Sequence, residues 1–441
     1  MDLDRIPAQR TACRGRGPDT RGPVAPRPRL LCMHMRESLP DPVTPEKLLH
    51  AWESHRVGRE WALETERDAE ISHFAEEHRL PDAPPDVPFP PSPERRFTFI
   101  DLFAGIGGFR LALQTHGGHC VFTSEIDPAA REVYRRNFGV YPYGDIRQFT
   151  GAEISDAELQ ERVPDHDVLA AGFPCQPFSR AGVSARNAAG IGHGFDDEVS
   201  GTLFFDILRI ARVKRPKVLF LENVQNLMRH DGGHTFDVIR RHIDRDFEGS
   251  LGYHFRYEVI DSSRMVPQRR KRTYIIATRL EPAFEFDLEP FETGDPIPLE
   301  QALETHPDDS FTISDQLWKG HQERTRKNLA RGVGFTAFLA DLQSPANTLV
   351  ARYGKDGKEC LIPQPGRNPR MLTPRECANL QGFPADFVLA DAKTTAYRQF
   401  GNAVAVPAVT ELARQIQRHL ESARSIDRGR DGRAKVRRSR S

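Results

Sequence analysis

Cysteine is scarce in this chain, six among 441 residues. That excludes a disulfide framework, and no CxxC pair or Cys/His cluster has the spacing that holds zinc. No apolar run approaches the length that crosses a bilayer. The N-terminus has arginines but no apolar centre of the signal-peptide kind. The expectation is a soluble, cytoplasmic protein whose thiols stay reduced. Net charge is absent too: Lys+Arg and Asp+Glu each number 62. Overall charge therefore names no partner, and its distribution has to. No internal repeat is evident. The length exceeds what one core usually serves, so two or three domains are expected.

The two ends carry little that can be buried. Residues 1–40 are rich in Arg, Pro and Gly, the composition of a disordered basic arm. Arg14, Arg16, Arg21, Arg27 and Arg29 can touch phosphate there or be merely solvated. Met33 and Met35 offer alternative starts. Residues 41–80 read as a small helical extension around Leu48, Leu49, Trp52, Trp61, Leu63, Ile71 and Phe74. Residues 81–96 read as a proline-rich linker, and residues 422–441 as a basic, disordered tail.

Between the ends lies an α/β pattern. Phe97-Thr98-Phe99-Ile100-Asp101-Leu102-Phe103 is β-branched and aromatic, a strand. Ala104-Gly105-Ile106-Gly107-Gly108 follows as a glycine turn, and a helix starts at Phe109. Glycines there let backbone approach a ligand at a helix N-terminus. Glu125 follows the next strand, Cys120 to Ser124, about 20 residues on, where such folds set an acid on a ribose hydroxyl. The alternative is a surface carboxylate or a helix-capping partner. A helix is expected from Pro128 to Asn137. Asp145 then sits where it can accept from an adenine amino group or serve as a turn former.

Asp167-Val168-Leu169-Ala170-Ala171 reads as a buried strand ending in Gly172-Phe173-Pro174-Cys175-Gln176-Pro177-Phe178-Ser179. Two prolines restrict the Cys175 backbone. Ligands in open α/β sheets bind beyond strand carboxyl ends, so Cys175 is placed as a nucleophile. Taken alone it would read as a buried structural cysteine. Arg180 to Ser200 is long for a loop, which suits a lid or disorder. An amphipathic helix spans Gly201 to Val213. Val218 to Leu221 is a further strand, and it ends in Glu222-Asn223-Val224, so Glu222 and Cys175 can face one pocket. Tyr253 to Ile260 and Tyr274 to Thr278 read as strands. Between them Pro267-Gln268-Arg269-Arg270-Lys271-Arg272 holds four consecutive cations. Arg270 and Arg272 share one side by strand alternation.

From residue 280 to about 369 the α/β alternation weakens, which suits a smaller, irregular second domain with a basic stretch at His321 to Arg331. Thr373 and Glu376 form a capping box for a helix to Leu380. Phe400-Gly401-Asn402-Ala403-Val404 opens the last helix, expected to end near Leu420.

Six segments, in this order, resemble the family of DNA (cytosine-5)-methyltransferases: Asp101 to Gly108, Gly172 to Ser179, Glu222 to Val224, Gln268 to Arg272, Leu372 to Ala378 and Gln399 to Val404. The resemblance implies a Rossmann-like mixed sheet with helices on both faces that binds S-adenosylmethionine. A small irregular target-recognition domain would occupy 280–369, with 370–421 returning to the catalytic domain of 97–279. It also implies double-stranded DNA as substrate, no metal, a monomer, and in some members a restriction endonuclease for the same site. Catalytic residues by resemblance are Cys175 as thiolate, Glu222 as the acid on cytosine N3, Arg270 on the base carbonyl, and Arg272 beside it. Cofactor contacts by resemblance are Phe103, Gly105, Ile106, Gly107, Glu125, Ile126, Asp145, Pro174, Leu203, Asn402 and Val404. Ile126 departs from an aromatic often found there. Gln176, Ser179, Arg180, Lys319 and Arg352 are the DNA-contact candidates, the last two to base or to phosphate alone. Leu317 to Gly320, Gly332 to Phe335 and Ala351 to Gly357 are similar to members that methylate CCGG or CCWGG.

Three other readings compete. tRNA methylation shares the reaction, but an irregular domain of about 90 residues that carries a basic stretch suits duplex DNA. A catalytically silent DNA-binding relative sits poorly with the retention of Cys175, Glu222 and Arg270. A dinucleotide-dependent dehydrogenase would explain the glycine turn but not Pro174-Cys175.

Overall fold

The structure is a computed structural model that describes residues 87–174, 203–332, 337 and 339–438, with side chains to 426. One six-stranded sheet organises it. The strands are β1 (Phe97–Leu102), β2 (Gly118–Ser124), β3 (Val168–Gly172), β4 (Val218–Val224), β5 (His254–Asp261) and β6 (Lys271–Thr278). Their order is β2-β1-β3-β4-β6-β5. β1 to β4 are parallel, and β6 runs against both β4 and β5. The mixed α/β sheet expected from the motifs is thus present. Chain order reverses at β1, between β2 and β3, and that is where open sheets of this kind leave a crevice beyond the strand ends.

Strand alternation sorts the side chains onto two faces. Ile100, Leu102, Leu169, Ala171, Leu219, Leu221, Ile275 and Ala277 share one core with α4 (Leu203–Lys214) and α5 (His234–Ile243). Phe97, Phe99, Val168, Ala170, Val218, Phe220, Tyr274 and Ile276 share the other core with α1 (Gly108–Thr115) and α9 (Val406–Arg438). The last helix therefore lies beside the first. A third core joins α2 (Pro128–Phe138) to Leu299, Leu349, Tyr353, Ile362, Leu372 and α8 (Lys393–Asn402).

The glycine turn is shaped by positive φ at Gly105 (54°) and Gly107 (93°), and also at Phe103 (55°). Left-handed backbone is costly for a bulky residue and marks a constrained site. A Cβ at Gly105 would meet nothing within 4 Å among the described residues. A Cβ at Gly107 would lie 2.2 Å from a Phe138 ring carbon. Gly105 leaves room for a ligand, whereas Gly107 lets α2 close onto the turn.

Four local readings differ from the structure. The linker of 81–96 is docked at its end: Phe89 packs against Phe138 and Phe387, and its amide donates to Asn137 O. An aromatic among prolines found an apolar cleft. The segment 280–369 holds a 16-residue helix, α6 (Asp315–Ala330), capped by Ser314. Its apolar stripe is thin, since only His321 is buried. The last helix starts at Val406, because α8 ends at Asn402 and Ala403 to Ala405 link the two. It also continues to Arg438, through what reads as a disordered tail; most of that stretch is good helix formers and none of it is proline. The arm of 1–40 and the extension of 41–80 lie outside the described residues. Between β2 and β3 lies a short helix absent from the sequence reading, α3 (Asp156–Arg162), with its own capping box at Ser155 and Glu158.

The expected capping box at Thr373 and Glu376 is present and opens α7 (Pro374–Leu380). The fully buried Glu376 also accepts two bonds from Arg370, at 2.7 and 2.8 Å. Arg370→Met should strip a buried carboxylate of its partner and cost about 3–5 kcal/mol. Thr373→Ala should cost about 1 kcal/mol, the loss of a cap. Urea unfolding midpoints at unchanged slope check that order. Gly105→Ala should cost only the left-handed backbone, roughly 1–2 kcal/mol. Gly107→Ala adds overpacking against Phe138, about 1–3 kcal/mol more, and the same unfolding series reads both.

Candidate active site

Glu222 lies near the carboxyl end of β4 and is paired in register with Gly172 of β3 and Tyr274 of β6. Its parity puts it on the α1 and α9 face, together with Arg270, Arg272 and Asp101. A Cβ at Gly172 would lie 3.6 Å from Glu222 Oε2, an ordinary contact that places the acid directly beside the end of β3. Asn223, the next residue, points to the other face and donates to Phe173 O at 2.9 Å. That bond holds the strand exit from which Pro174 leads to Cys175. Pro174 is exposed at that exit. Cys175, Gln176, Ser179 and Arg180 lie outside the described residues, so the pocket is described from its carboxyl side.

The two arginines of the basic run divide their work. Arg272 Nε lies 3.0 Å from Glu222 Oε1, and both side chains are 11% exposed. Arg270 is 1% exposed. Its Nη1 donates to Leu349 O and its Nη2 to Gly401 O, each at 3.1 Å, and Nη2 also donates to Ala403 O. Burial pushes the Glu222 carboxyl above its ordinary range, although Arg272 and Arg270 pull the other way. Burial likewise pulls Arg270 down to about 9, with Arg272 adding to the effect; the group still carries its charge at neutral pH. The site thus combines a carboxyl inclined to hold a proton with a guanidinium on one of its oxygens.

The glycine turn and the end of β2 form the second half of the crevice. Glu125 Oε2 accepts from Gly105 N and Oε1 from Asp127 N, both at 2.8 Å. Burial pushes this carboxyl up as well, against the pull of those amides. Ile126 beside it is a large apolar side chain, 64% exposed among the described residues. Ile106 is buried, and Phe103 half-buried. Val404 reaches the turn directly, since a Cβ at Gly108 would lie 2.6 Å from Val404 Cγ2. Asn402 is exposed at the end of α8, and Leu203 opens α4, packed on the sheet core. Asp145 is committed locally: its carboxylate takes Arg147 through the guanidinium and through the backbone amide at 3.0 Å. That pairing keeps the Asp145 carboxyl low. An open Gly105, an anchored acid and an exposed apolar side chain fit a nucleoside with a charged tail.

Some of this the sequence reading missed. Asp101 is fully buried, and burial outweighs the pull of Arg110 and Tyr134 to push it up to about 7. Asn223 lay inside a quoted motif yet received no role. Of the DNA-contact candidates, Lys319 is exposed on α6, while Arg352 lies 3.5 Å from the buried Glu359. In the basic stretch, Glu323 pairs with Arg326 and Lys327, and Arg324 lies 3.8 Å from Asp356. No group of His, Cys, Asp and Glu among the described residues is arranged to hold a metal, and no described helix is long and apolar enough to cross a membrane.

With this geometry in hand, comparison with known proteins is direct. The model of the family described as C-5 cytosine-specific DNA methylase matches residues 97–418. Type II methyltransferase M.SsoII of Shigella sonnei is 42% identical over 350 residues, 77% of this chain and 85% of that protein. The DNA-cytosine methyltransferase of Escherichia coli K12 is 37% identical over 388 residues, covering 76% and 81%. The crystal structure of the S. pombe Dnmt2 methyltransferase superposes with a TM-score of 0.55 at 18% identity, covering 74% of this chain and 98% of that one; at that identity the likeness carries the fold. From Phe97 onward, through the glycine turn, Glu222 and the basic run, the chain belongs to the C-5 cytosine-specific DNA methylases, enzymes that draw their methyl group from S-adenosylmethionine.

Proposed function

We propose that the protein methylates C5 of a cytosine extruded from a short symmetrical duplex site, CCWGG or CCGG, through a covalent bond between Cys175 and cytosine C6. One observation carries the reading: Glu222 is buried, in register with the end of the strand that leads to Cys175, with Arg272 on its Oε1. Cytosine C5 is a poor nucleophile. A thiolate adding to C6 moves electron density toward C5, provided N3 takes up a proton. Glu222, raised by burial, holds that proton and delivers it. The resemblance put Arg270 on the base carbonyl, but Arg270 is occupied by backbone carbonyls, so this reading gives the contact to Arg272. Arg272 on Glu222 also brings positive charge to this strand end, and positive charge lowers a thiol's pKa.

S-adenosylmethionine supplies an electrophilic methyl when bound. Glu125 would take the ribose hydroxyls and Ile126 one face of the adenine. Gly105 and Gly107 would pass backbone close to the methionine part, with Phe103, Ile106, Asp145, Pro174, Leu203, Asn402 and Val404 completing the walls. After transfer a base, water in this reading, removes the C5 proton, Cys175 leaves C6 as the thiolate, and N3 returns its proton to Glu222. The target carbon is hidden in a stacked duplex, so extrusion is required. Gln176, Ser179 and Arg180 would meet the DNA beside the base. Residues 280–369 would read the site, with Lys319 and Arg352 toward the DNA. Relatives named type II methyltransferases support a role opposite a restriction endonuclease for the same sequence.

Cys175→Ser should abolish methyl transfer and keep duplex binding. A 5-fluorocytosine duplex should form an adduct that mass spectrometry maps to Cys175; mapping elsewhere rejects the site. Bisulfite sequencing of DNA from expressing cells reads the target. Glu222 acts protonated and its pKa lies above the ordinary value, so the protonated fraction falls as pH rises through it. Single-turnover rate should therefore show a basic limb. Glu222→Gln should lower the rate by about 10²–10⁴ and remove that limb.

A further inference from the structure

The basic run touches both sides of the crevice, and only part of it faces the base. Gln268 Oε1 accepts from Leu349 N at 2.7 Å, and Arg270 Nη1 donates to Leu349 O. Both backbone groups of one residue are thus held by alternate side chains of this run. Leu349 lies three residues before Arg352. The Arg270 Nη2 bonds go to Gly401 and Ala403, which flank Asn402 and lead to Val404 on Gly108. The two clamped segments also touch each other, since a Cβ at Gly401 would lie 2.3 Å from Ala351 N. Gln268 Nε2 adds Leu380 O at 3.0 Å, and Gln381 Nε2 reaches Phe400 O at 2.8 Å.

We propose that Arg270, assisted by Gln268, is a positioning residue that locks the cofactor-side turn 401–404 and the segment 349–352 to the strand carrying Arg272. It acts through backbone and touches neither base nor cofactor. The inference rests on the proposed placement of cofactor and base, and it adds a mechanical link between them. Carbonyls from two distant segments converge on one fully buried guanidinium, so its loss leaves all of them unpaired.

The test uses binding, which does not require an active thiol. S-adenosylhomocysteine affinity and cognate-over-random duplex affinity are measured by titration on the full chain. Single-turnover rate is measured separately. Arg270→Met should weaken S-adenosylhomocysteine binding by roughly tenfold or more and narrow duplex discrimination. Arg270→Lys, which keeps a donor cation, should recover part of both. Gly401→Ala, which wedges the two segments apart with Arg270 intact, should reproduce the binding loss, and the double variant should add little to either single one. Arg272→Lys should lose rate with cofactor affinity within about twofold. The proposal is overturned if Arg270→Met or Arg270→Lys binds cofactor and duplex as the wild type does, or loses rate alone as Arg272→Lys does. Should Arg270→Met fail to fold, Arg270→Lys and Gly401→Ala decide. Failure of Cys175 to form an adduct would sink the proposed chemistry and leave these binding measurements readable.

Discussion

A carboxyl group is held out of water against one guanidinium and within the field of a second, and that conflict governs the site. Burial favours the neutral acid, whereas Arg272 and Arg270 favour the anion. Burial prevails because Glu222 sits at the end of a central strand, walled by Gly172 and Tyr274 on its neighbours. Arg272 supplies a nearby charge that can stabilise the anion once a proton has been given up. An acid in bulk solvent would be ionised at neutral pH and have no proton to give. An acid buried without any cation would hold its proton too strongly to release it.

The fold makes this arrangement possible by reversing one strand. Parallel β3 and β4 both deliver their carboxyl ends to the crevice, carrying Gly172 and Glu222. Antiparallel β6 delivers its amino end to the same edge, and so Arg272 and Arg270 arrive there too. Two-residue alternation then puts Glu222 and both arginines on one face. Depth separates the arginines. Arg272, inside the strand, reaches the acid, while Arg270, one residue before it, turns to the carbonyls of Leu349, Gly401 and Ala403.

Local patterns were legible where the chemistry is local. The strand and glycine turn from Phe97 to Gly108, the acid Glu125 after β2, the β3 and β4 strands and the Thr373–Glu376 box could all be read from residue type and spacing. The helix α5 and the helix α6 could not: charge dilutes the apolar stripe of α6, and Gly232 and Gly233 mask the start of α5. Phe89 reads from sequence as part of a solvated proline tract because its cleft is made by α2 and Phe387, far away in sequence. The different fates of Arg270 and Arg272 were beyond reach for a similar reason. Alternation gives the side of a residue, but which acceptors wait there depends on segments about 80 and 130 positions later.

The reversed β6 also decides how the chain enters residues 280–369. It leaves the sheet at the edge away from the crevice, then climbs along α9, where Asp287 bonds Gln415 and Phe284 meets His419. It regains the crevice side where Ile297 N donates to Ser263 O. The return contacts, Ala346 on Arg269 and Leu349 on Gln268, fall on that same short stretch. The intervening loop is therefore suspended from neighbouring pegs, like a cassette whose inlet and outlet share one socket. Beyond Leu299 and Ala302, which the third core holds, an excursion of another length between those pegs leaves the six strands in register.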